Sequence, residues 1–425
     1  MEAPRGLRIL IVLPMYGGSL PVGWHCAAAL ARLGQVVEVF EAPAFSGAFT
    51  ALRDLRVTSD RLEYLENSFL QTVSQAVAAK VETFGPDLVL AMAQAPLSRQ
   101  VLKRFRRNGV ATAMWFVEDY ARFPYWLPFA PLYDLFAVIQ KAPFVEKLAA
   151  IGQTNVLYLP LAADPAVHRP LALSPVDRRR YGAQVSFMGA GYPNRRRAFR
   201  ELAGVDLAIF GSDWEGDEVL APRVRFDGRR MDTEETVKIF NATAVNINLH
   251  SSLSADEPVA PGDFVNPRTF ELAMCGAFQL VDRRALLPEL FTDDELAQFE
   301  SLPELRERLD YFLAHPDERA AFAARARTRA LADHTYVARM KTLLAFAAAR
   351  LPGWPKAARD ASGALAALPE ALRGDVAALL TRLSLPADAS FDDVLWAVRA
   401  RQGVLSPLET SLLFLDEWRK QYGAA

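Results

Sequence analysis

Val265-Asn266-Pro267-Arg268-Thr269-Phe270-Glu271-Leu272-Ala273-Met274-Cys275-Gly276-Ala277-Phe278-Gln279-Leu280-Val281-Asp282 reads as one short helix feeding one buried strand. Pro267 suits the first helical turn, where a backbone N–H has no partner within the helix and a preset φ helps. Gly276 suits a left-handed helix end. Phe278–Val281 is then a short, nearly continuous apolar run, the pattern of a strand covered on both faces. A helix entering such a strand is part of a βαβ unit, so the expected class is α/β with parallel sheets.

The same rhythm extends outward in both directions. Strands are expected at 7–13, 36–40, 87–93, 111–117, 135–140 and 155–159, with helices at 22–33, 59–84, 97–108 and 142–151. A polar, proline-containing connection from Asp164 to Arg180 interrupts it. It restarts with strands at 184–188, 206–210 and 244–249 and a helix at 233–241, and helices fill 303–314 and 317–331. Two successive βαβ sets of this length predict two Rossmann-like domains facing each other, 1–170 and 171–350. From Leu351 the chain becomes rich in Ala and Leu. Three short helices at 375–383, 391–401 and 407–421 predict a helical appendix over 351–425, whose expected role is packing or docking of a protein partner.

Composition narrows the function classes. The 425 residues are 51% hydrophobic and 23% charged, which is globular and not disordered. A net charge of -2 gives no general basic face for nucleic acid. Cys26 and Cys275 are far apart and form no CxxC site, which fits a reducing, cytoplasmic compartment. The five histidines have no metal-ligand spacing, so no metal is expected. Leu7–Leu13 is too short for a signal core and reads better as a first buried strand. No apolar run reaches the length of a membrane helix.

Chemistry is expected where strands give way to loops, because ligands of open α/β sheets collect beyond the carboxyl strand ends. Gly17-Gly18 follow the first strand, either as a tight turn or as a place where a ligand approaches the backbone. Gly189-Ala190-Gly191 repeat the arrangement in the second half, with Arg195, Arg196 and Arg197 close behind. A helix start there attracts phosphate, and Arg195 can add bidentate contacts or form a solvated basic face. Glu271 stands in an otherwise apolar helix, where a carboxylate is unfavourable unless paired or functional. It could accept two hydroxyls of a ribose. Glu118 and Asp119 end a strand among aromatic residues, and burial there would raise a carboxyl pKa toward a general base's. His25 near the first glycine pair is a second candidate base or a structural histidine, and His250 ends a strand pointing at the same gap as Glu271.

Several stretches in this order resemble the CgeB-like family of bacterial glycosyltransferases. They are Trp115-Phe116-Val117-Glu118-Asp119-Tyr120 with Phe123-Pro124-Tyr125-Trp126, Val185-Ser186-Phe187-Met188-Gly189, Asn246-Ile247-Asn248-Leu249-His250, Asn266-Pro267-Arg268-Thr269-Phe270-Glu271, and His334-Thr335-Tyr336 with Arg339. The resemblance covers roughly 7–345 and leaves the tail outside. It implies a GT-B fold, with a nucleotide-sugar donor on the second domain and an unidentified acceptor on the first. It implies that Glu271 holds the donor ribose and that Arg268, Asn266 and Thr269 lie near the diphosphate. No cofactor or divalent metal is implied. The chain departs from the paired-glutamate signature of retaining relatives, since Asp263 is the nearest acid before Glu271. Retention or inversion is left open.

Two other classes compete with glycosyl transfer. A nicotinamide-dependent oxidoreductase or sugar-nucleotide epimerase would need a GxGxxG-like loop after the first strand, and none is present. A non-catalytic nucleotide-sugar-binding or docking protein would tolerate decay of the donor site, whereas Arg268 and Glu271 are both intact.

Overall fold

The computed structural model describes residues 6–202, 204–355, 368–385, 387, 389–401 and 403–422. The first half contains β1 (Arg8–Val12), α1 (Ser19–Arg32), β2 (Val36–Phe40), α2 (Ser46–Arg53), α3 (Ser59–Phe84), β3 (Leu88–Met92), α4 (Arg99–Arg107), β4 (Ala111–Phe116), β5 (Leu135–Val138), α5 (Phe144–Ala150) and β6 (Val156–Tyr158). Its six strands are all parallel, in the order β2-β1-β3-β4-β5-β6. β1 is Arg-Ile-Leu-Ile-Val with every residue buried, as a strand with helices on both faces requires. Gly23 lets α1 lie close to that sheet: a Cβ there would stand 2.2 Å from Leu13 and 3.1 Å from Met92.

The second half contains α6 (Pro175–Tyr181), β7 (Ala183–Met188), α7 (Pro193–Glu201), β8 (Leu207–Phe210), α8 (Thr233–Ala242), β9 (Thr243–Asn248), α9 (Pro267–Cys275), β10 (Gln279–Asp282), β11 (Ala297–Phe299), α10 (Leu302–Ala314), α11 (Pro316–Asp333) and α12 (Tyr336–Arg350). Five parallel strands run in the order β11-β10-β9-β7-β8. This is a GT-B architecture: two parallel α/β sheets, each with its own helices. α6 lies inside the stretch expected to be a mere connection. It is seven residues long with three arginines and only one buried residue, so its sequence carries no apolar stripe.

The last helix of the second half does not stay with the second sheet. α12 packs on α1, and Tyr336, Met340, Leu343, Leu344 and Ala347 enter the apolar cluster that also holds Ile9, Ile11 and Trp115. Part of the 171–350 span therefore serves the first domain. The two chain crossings are tied together. Ala163 N–H donates to His334 O at 3.0 Å, and Arg339 Nε donates to Pro160 O at 2.7 Å. Phe270 and Met274 of α9 enter the same cluster, so one apolar core continues from the first sheet to the helix that carries Glu271.

The appendix contains α13 (Glu370–Arg382), α14 (Phe391–Ala400) and α15 (Pro407–Tyr422), close to the three helices expected. Val376, Leu379, Leu380, Val394 and Val398 give it a small core of its own. Among the described residues no helix is long and apolar enough to cross a membrane.

Candidate active site

The carboxyl ends of the two sheets bound a cleft. A cavity of about 780 Å³ is lined by Asp119, Arg122 and Gln140 from the first domain and by Ser252, Asp263 and Phe264 from the second. Gln140 Nε2 donates to Asp263 Oδ1 across it at 2.9 Å, and Lys141 Nζ meets Glu289 Oε2 at 2.5 Å. Arg122 reaches over as well, its guanidinium carbon 4.6 Å from the centre of the Tyr192 ring.

Glu118 sits just past β4 and is half-buried. Gln94 Nε2 donates to its Oε1 at 2.7 Å, while Oε2 is buried with no hydrogen-bond partner. Burial pushes its carboxyl up to about 7, against the pull of the Gln94 hydrogen bond and the Arg122 charge. Gln94 itself adopts a left-handed φ of 65°, uncommon for a non-glycine residue. Its N–H donates to Tyr125 Oη at 3.0 Å, so both ends of Gln94 are held. Gly17, at φ 103°, lies next to it, and a Cβ there would be 3.7 Å from Gln94 Oε1. Gly18 caps α1 and has open space around it. Asp119 faces the cavity, with Oδ1 accepting from Ala121 N–H at 2.9 Å. Trp126 is buried with its Nε1 donating to Tyr120 O, and Tyr120 stacks on Phe144 at 4.6 Å while lining the cavity.

The second domain presents the start of α9. Asn266 Oδ1 accepts from Thr269 N–H at 3.1 Å and caps the helix, and Gly276 ends it at φ 65°. Buried amides lock this helix to β9 and β10. Asn248 Nδ2 donates to Thr269 Oγ1 at 2.9 Å and to Gln279 Oε1 at 3.0 Å, and Asn266 Nδ2 donates to Asn248 Oδ1 at 2.8 Å. Asn266 and Thr269 are buried, and their side-chain atoms are occupied in this way. Their side chains therefore hold the start of α9 in place, beside Arg268. His250 lines the cavity and belongs to the same framework. Its Nδ1 lies 2.6 Å from Asp282 Oδ1, and its Nε2 accepts from Asn266 N–H at 2.9 Å. Burial lowers its pKa, so the ring is neutral and the proton sits on Nδ1.

Arg195 differs from expectation for the same reason. It is buried, with Nε and Nη2 donating to Leu249 O and Nη1 to Ala190 O. It clamps two loops, with three of its five N–H groups given to backbone carbonyls. Desolvation, with the nearby charges of Arg268 and Arg122, lowers its pKa to about 9. Gly189 and Gly191 are also needed for packing. A Cβ on Gly191 would stand 2.1 Å from Asp213 O, and one on Gly189 would stand 3.1 Å from the Phe187 ring.

Arg268 and Glu271 remain with free ends. Among the described residues Arg268 Nε is buried without a hydrogen-bond partner, and no carboxylate or carbonyl accepts from its guanidinium. Burial lowers its pKa, and the Glu271 charge opposes that. Glu271 is half-buried one turn along, its Oε1 4.0 Å from His168 Nε2. His25 belongs to this end of the cleft: it stacks on Tyr336 at 4.9 Å, lies 5.4 Å from His168 and has Nδ1 3.7 Å from Asp164 Oδ2. None of those contacts is shared with Glu118, so the structure does not group His25 with the acids at the end of β4.

The comparisons with known proteins agree with this layout. Residues 169–345, the span that includes α9, match the family described as glycosyl transferase-like. The spore protein CgeB of Bacillus subtilis (strain 168) is 25% identical over 257 residues, 58% of this chain and 78% of that protein. Both likenesses point to the CgeB-like glycosyltransferases as what this chain is similar to. Solved structures share the fold of this chain at low identity. Sucrose-phosphate synthase of Thermosynechococcus elongatus superposes with a TM-score of 0.55 at 14% identity, covering 80% of this chain and 97% of that one. HepE of Anabaena, solved in complex with UDP and glucose, gives 0.55 at 15% identity, covering 81% and 100%.

Reading the sequence missed Gln94, Arg122 and the Gln140–Asp263 bridge. Arg122 had a signal, since it stands three residues beyond Asp119 in a loop with no acid to pair with before Asp134. Gln94 had none: an amide after a strand advertises no chemistry until its partner is known. Among the described residues no group of three or more His, Cys, Asp or Glu could hold a metal ion.

Proposed function

We propose that this glycosyltransferase moves a sugar from a nucleoside-diphosphate donor to an acceptor hydroxyl in the interdomain cleft. Arg268 carries the reading. A buried guanidinium nitrogen without a partner calls for an anion, and it sits at the start of a capped helix whose unpaired N–H groups attract the same charge. Glu271, one turn on, would accept the ribose hydroxyls. HepE, with the same fold, was solved with UDP-glucose, and that likeness supports the donor class.

In a direct displacement the acceptor oxygen bonds to the anomeric carbon as the bond from that carbon to the β-phosphate oxygen breaks. The electron pair leaves with the nucleoside diphosphate. Arg268 and the start of α9 would stabilise that growing charge, taking the place of a divalent cation. Glu118 would take the acceptor proton on Oε2, the oxygen that lacks a partner. Asp119 would orient the acceptor from the cavity wall. Activity retained in excess chelator is the corresponding check on metal independence.

The deciding experiment screens nucleotide sugars for thermal stabilisation, since a bound donor raises stability by mass action. The bound donor's affinity is then measured for Glu271→Ala. Loss of a hydrogen bond to a charged partner lowers it by about 1.5–3 kcal/mol. Unchanged affinity would remove Glu271 from the donor site and the reading with it.

A further inference from the structure

We propose that Arg122, on the loop after β4, is a second phosphate ligand for the donor, supplied by the first domain across the cleft. The inference rests on the nucleoside-diphosphate reading above and adds a residue from the opposite wall.

Arg122 lines the cavity and is exposed. Its guanidinium is held between two rings, Phe123 of its own loop at 5.0 Å and Tyr192 of the second domain at 4.6 Å. Stacking engages the flat faces of a guanidinium and leaves its edge N–H groups free to form a fork. Among the described residues no carboxylate or carbonyl accepts from them. The Tyr192 platform is itself fixed: Tyr192 N–H donates to Ala190 O at 3.0 Å, and Pro193 begins α7 immediately after.

Its charge lies between the two halves of the reaction. Arg122 and buried Arg195 both lie over the Tyr192 ring, their guanidinium carbons 4.6 and 5.3 Å from its centre, and the Arg122 charge also reaches Glu118. Asp282, a buried acid of the second domain, is already bonded to His250 and lies 3.5 Å from Arg284. The charges of Arg122 and Arg268 both act on Arg195, so three guanidinium groups lie near one another beside the Tyr192 ring. Arg195 is bound to carbonyls, Arg268 Nε is buried without a hydrogen-bond partner among the described residues, and Arg122 meets rings by its flat faces. This concentration of positive charge with free donors from both walls fits a diphosphate better than a monophosphate, because two phosphoryl groups can engage two forks. Since Arg122 and Arg268 come from different domains, the diphosphate would also draw the domains together, and departure of the product would release them.

Calorimetric affinities of UDP, GDP and ADP, and of UMP, GMP and AMP, test this on the full chain. The wild type is expected to prefer one diphosphate over its monophosphate. Arg122→Gln is expected to lower diphosphate affinity about tenfold or more while the monophosphate changes less than about twofold. The unliganded melting temperature should not move, because Arg122 is exposed. Arg107→Gln removes the same charge from the exposed side of α4 and should leave both affinities unchanged. Equal loss for diphosphate and monophosphate, or no loss for either, would overturn the role of Arg122 while leaving the donor reading standing. Failure of the wild type to bind any of the six nucleotides would overturn the donor reading itself and this inference with it.

Discussion

Gln94 donates its amide to Glu118 Oε1 at 2.7 Å, and Glu118 Oε2 is left buried and unpaired. One oxygen fixes the carboxyl's direction, and the other is available for a proton. With burial holding the group near 7, the deprotonated form needed for base catalysis accumulates as pH rises through neutrality. Transfer rate against pH should therefore rise along a limb centred near 7, and Glu118→Gln should remove transfer while sparing donor binding. Gln94→Ala withdraws a hydrogen bond that favours the charged carboxylate, so its limb should move to higher pH. A rate that does not vary between pH 6 and 8, by initial-rate measurement, would take Glu118 out of the base role.

The same carboxyl has a consequence for stability. Its folded pKa lies above its ordinary value of 4.5, so the folded state binds the extra proton between 4.5 and about 7. Glu118 therefore reduces stability progressively as pH rises through that window. Glu118→Gln should be the more stable protein at pH 8, by on the order of 1 kcal/mol after allowance for solvent screening, and no more stable at pH 4. Denaturant melts at the two pH values check this.

His250 shows how a residue can sit at the cleft and act only through others. Its ring joins Asp282 at the end of β10 to Asn266 at the cap of α9. His250→Ala leaves Asp282 buried with a weaker set of partners and frees the Asn266 N–H. The expected loss is about 3 kcal/mol of stability, with donor affinity falling because α9 is no longer held in place. His250→Gln should recover part of both. A His250→Ala protein of wild-type melting temperature with abolished turnover would instead assign the ring to the reaction.

Two glycines expected at the donor site separate packing from ligand approach. Gly191→Ala drives a Cβ into the Asp213 carbonyl, and a backbone neighbour cannot step aside, so a loss of about 2–3 kcal/mol is expected. Gly18→Ala meets nothing within 4 Å at a φ of -72° and should leave stability within about 0.5 kcal/mol. A higher KM for the donor in Gly18→Ala at unchanged stability would show the donor passing over that turn. Thermal melts and donor kinetics on the pair give both readings.

The elements of this fold were legible where the chain obeys local rules. Strands covered on both faces appear as apolar runs, and Asn266, Pro267 and Gly276 mark the ends of α9 before any contact is known. The destination of α12 was not legible, because its apolar side finds α1 some 300 positions earlier in the chain and nothing local names that partner. The site divides in the same way. Arg195 and Arg268 both lie near a helix start after a loop. Only the fold decides that one meets the carbonyls of Leu249 and Ala190 while the other meets none. A sequence shows which side chains can do chemistry; which of them are already occupied depends on neighbours far along the chain.

The appendix gives the last prediction. It docks on the first domain through α14. Trp396 Nε1 donates to Glu38 Oε2 at 2.8 Å, its ring lies 5.2 Å from Phe84 and 4.6 Å from Lys80 Nζ, and Asp393 pairs with Arg8. Arg8 begins β1 and Phe84 ends α3, so this contact lies at the amino-terminal edge of the sheet. Gly17, Gln94 and Glu118 follow the carboxyl ends of β1, β3 and β4, at the opposite edge. Removing 368–425 should therefore lower the melting temperature, because it uncovers Phe84 and leaves Arg8 beside it without its carboxylate. Donor affinity and donor hydrolysis should stay within about twofold of the full chain. Trp396→Ala should reproduce a part of the loss, about 2 kcal/mol for a half-buried ring. If the truncated protein keeps its melting temperature but loses donor hydrolysis, the appendix reaches the cleft in solution and its placement at the far edge is wrong.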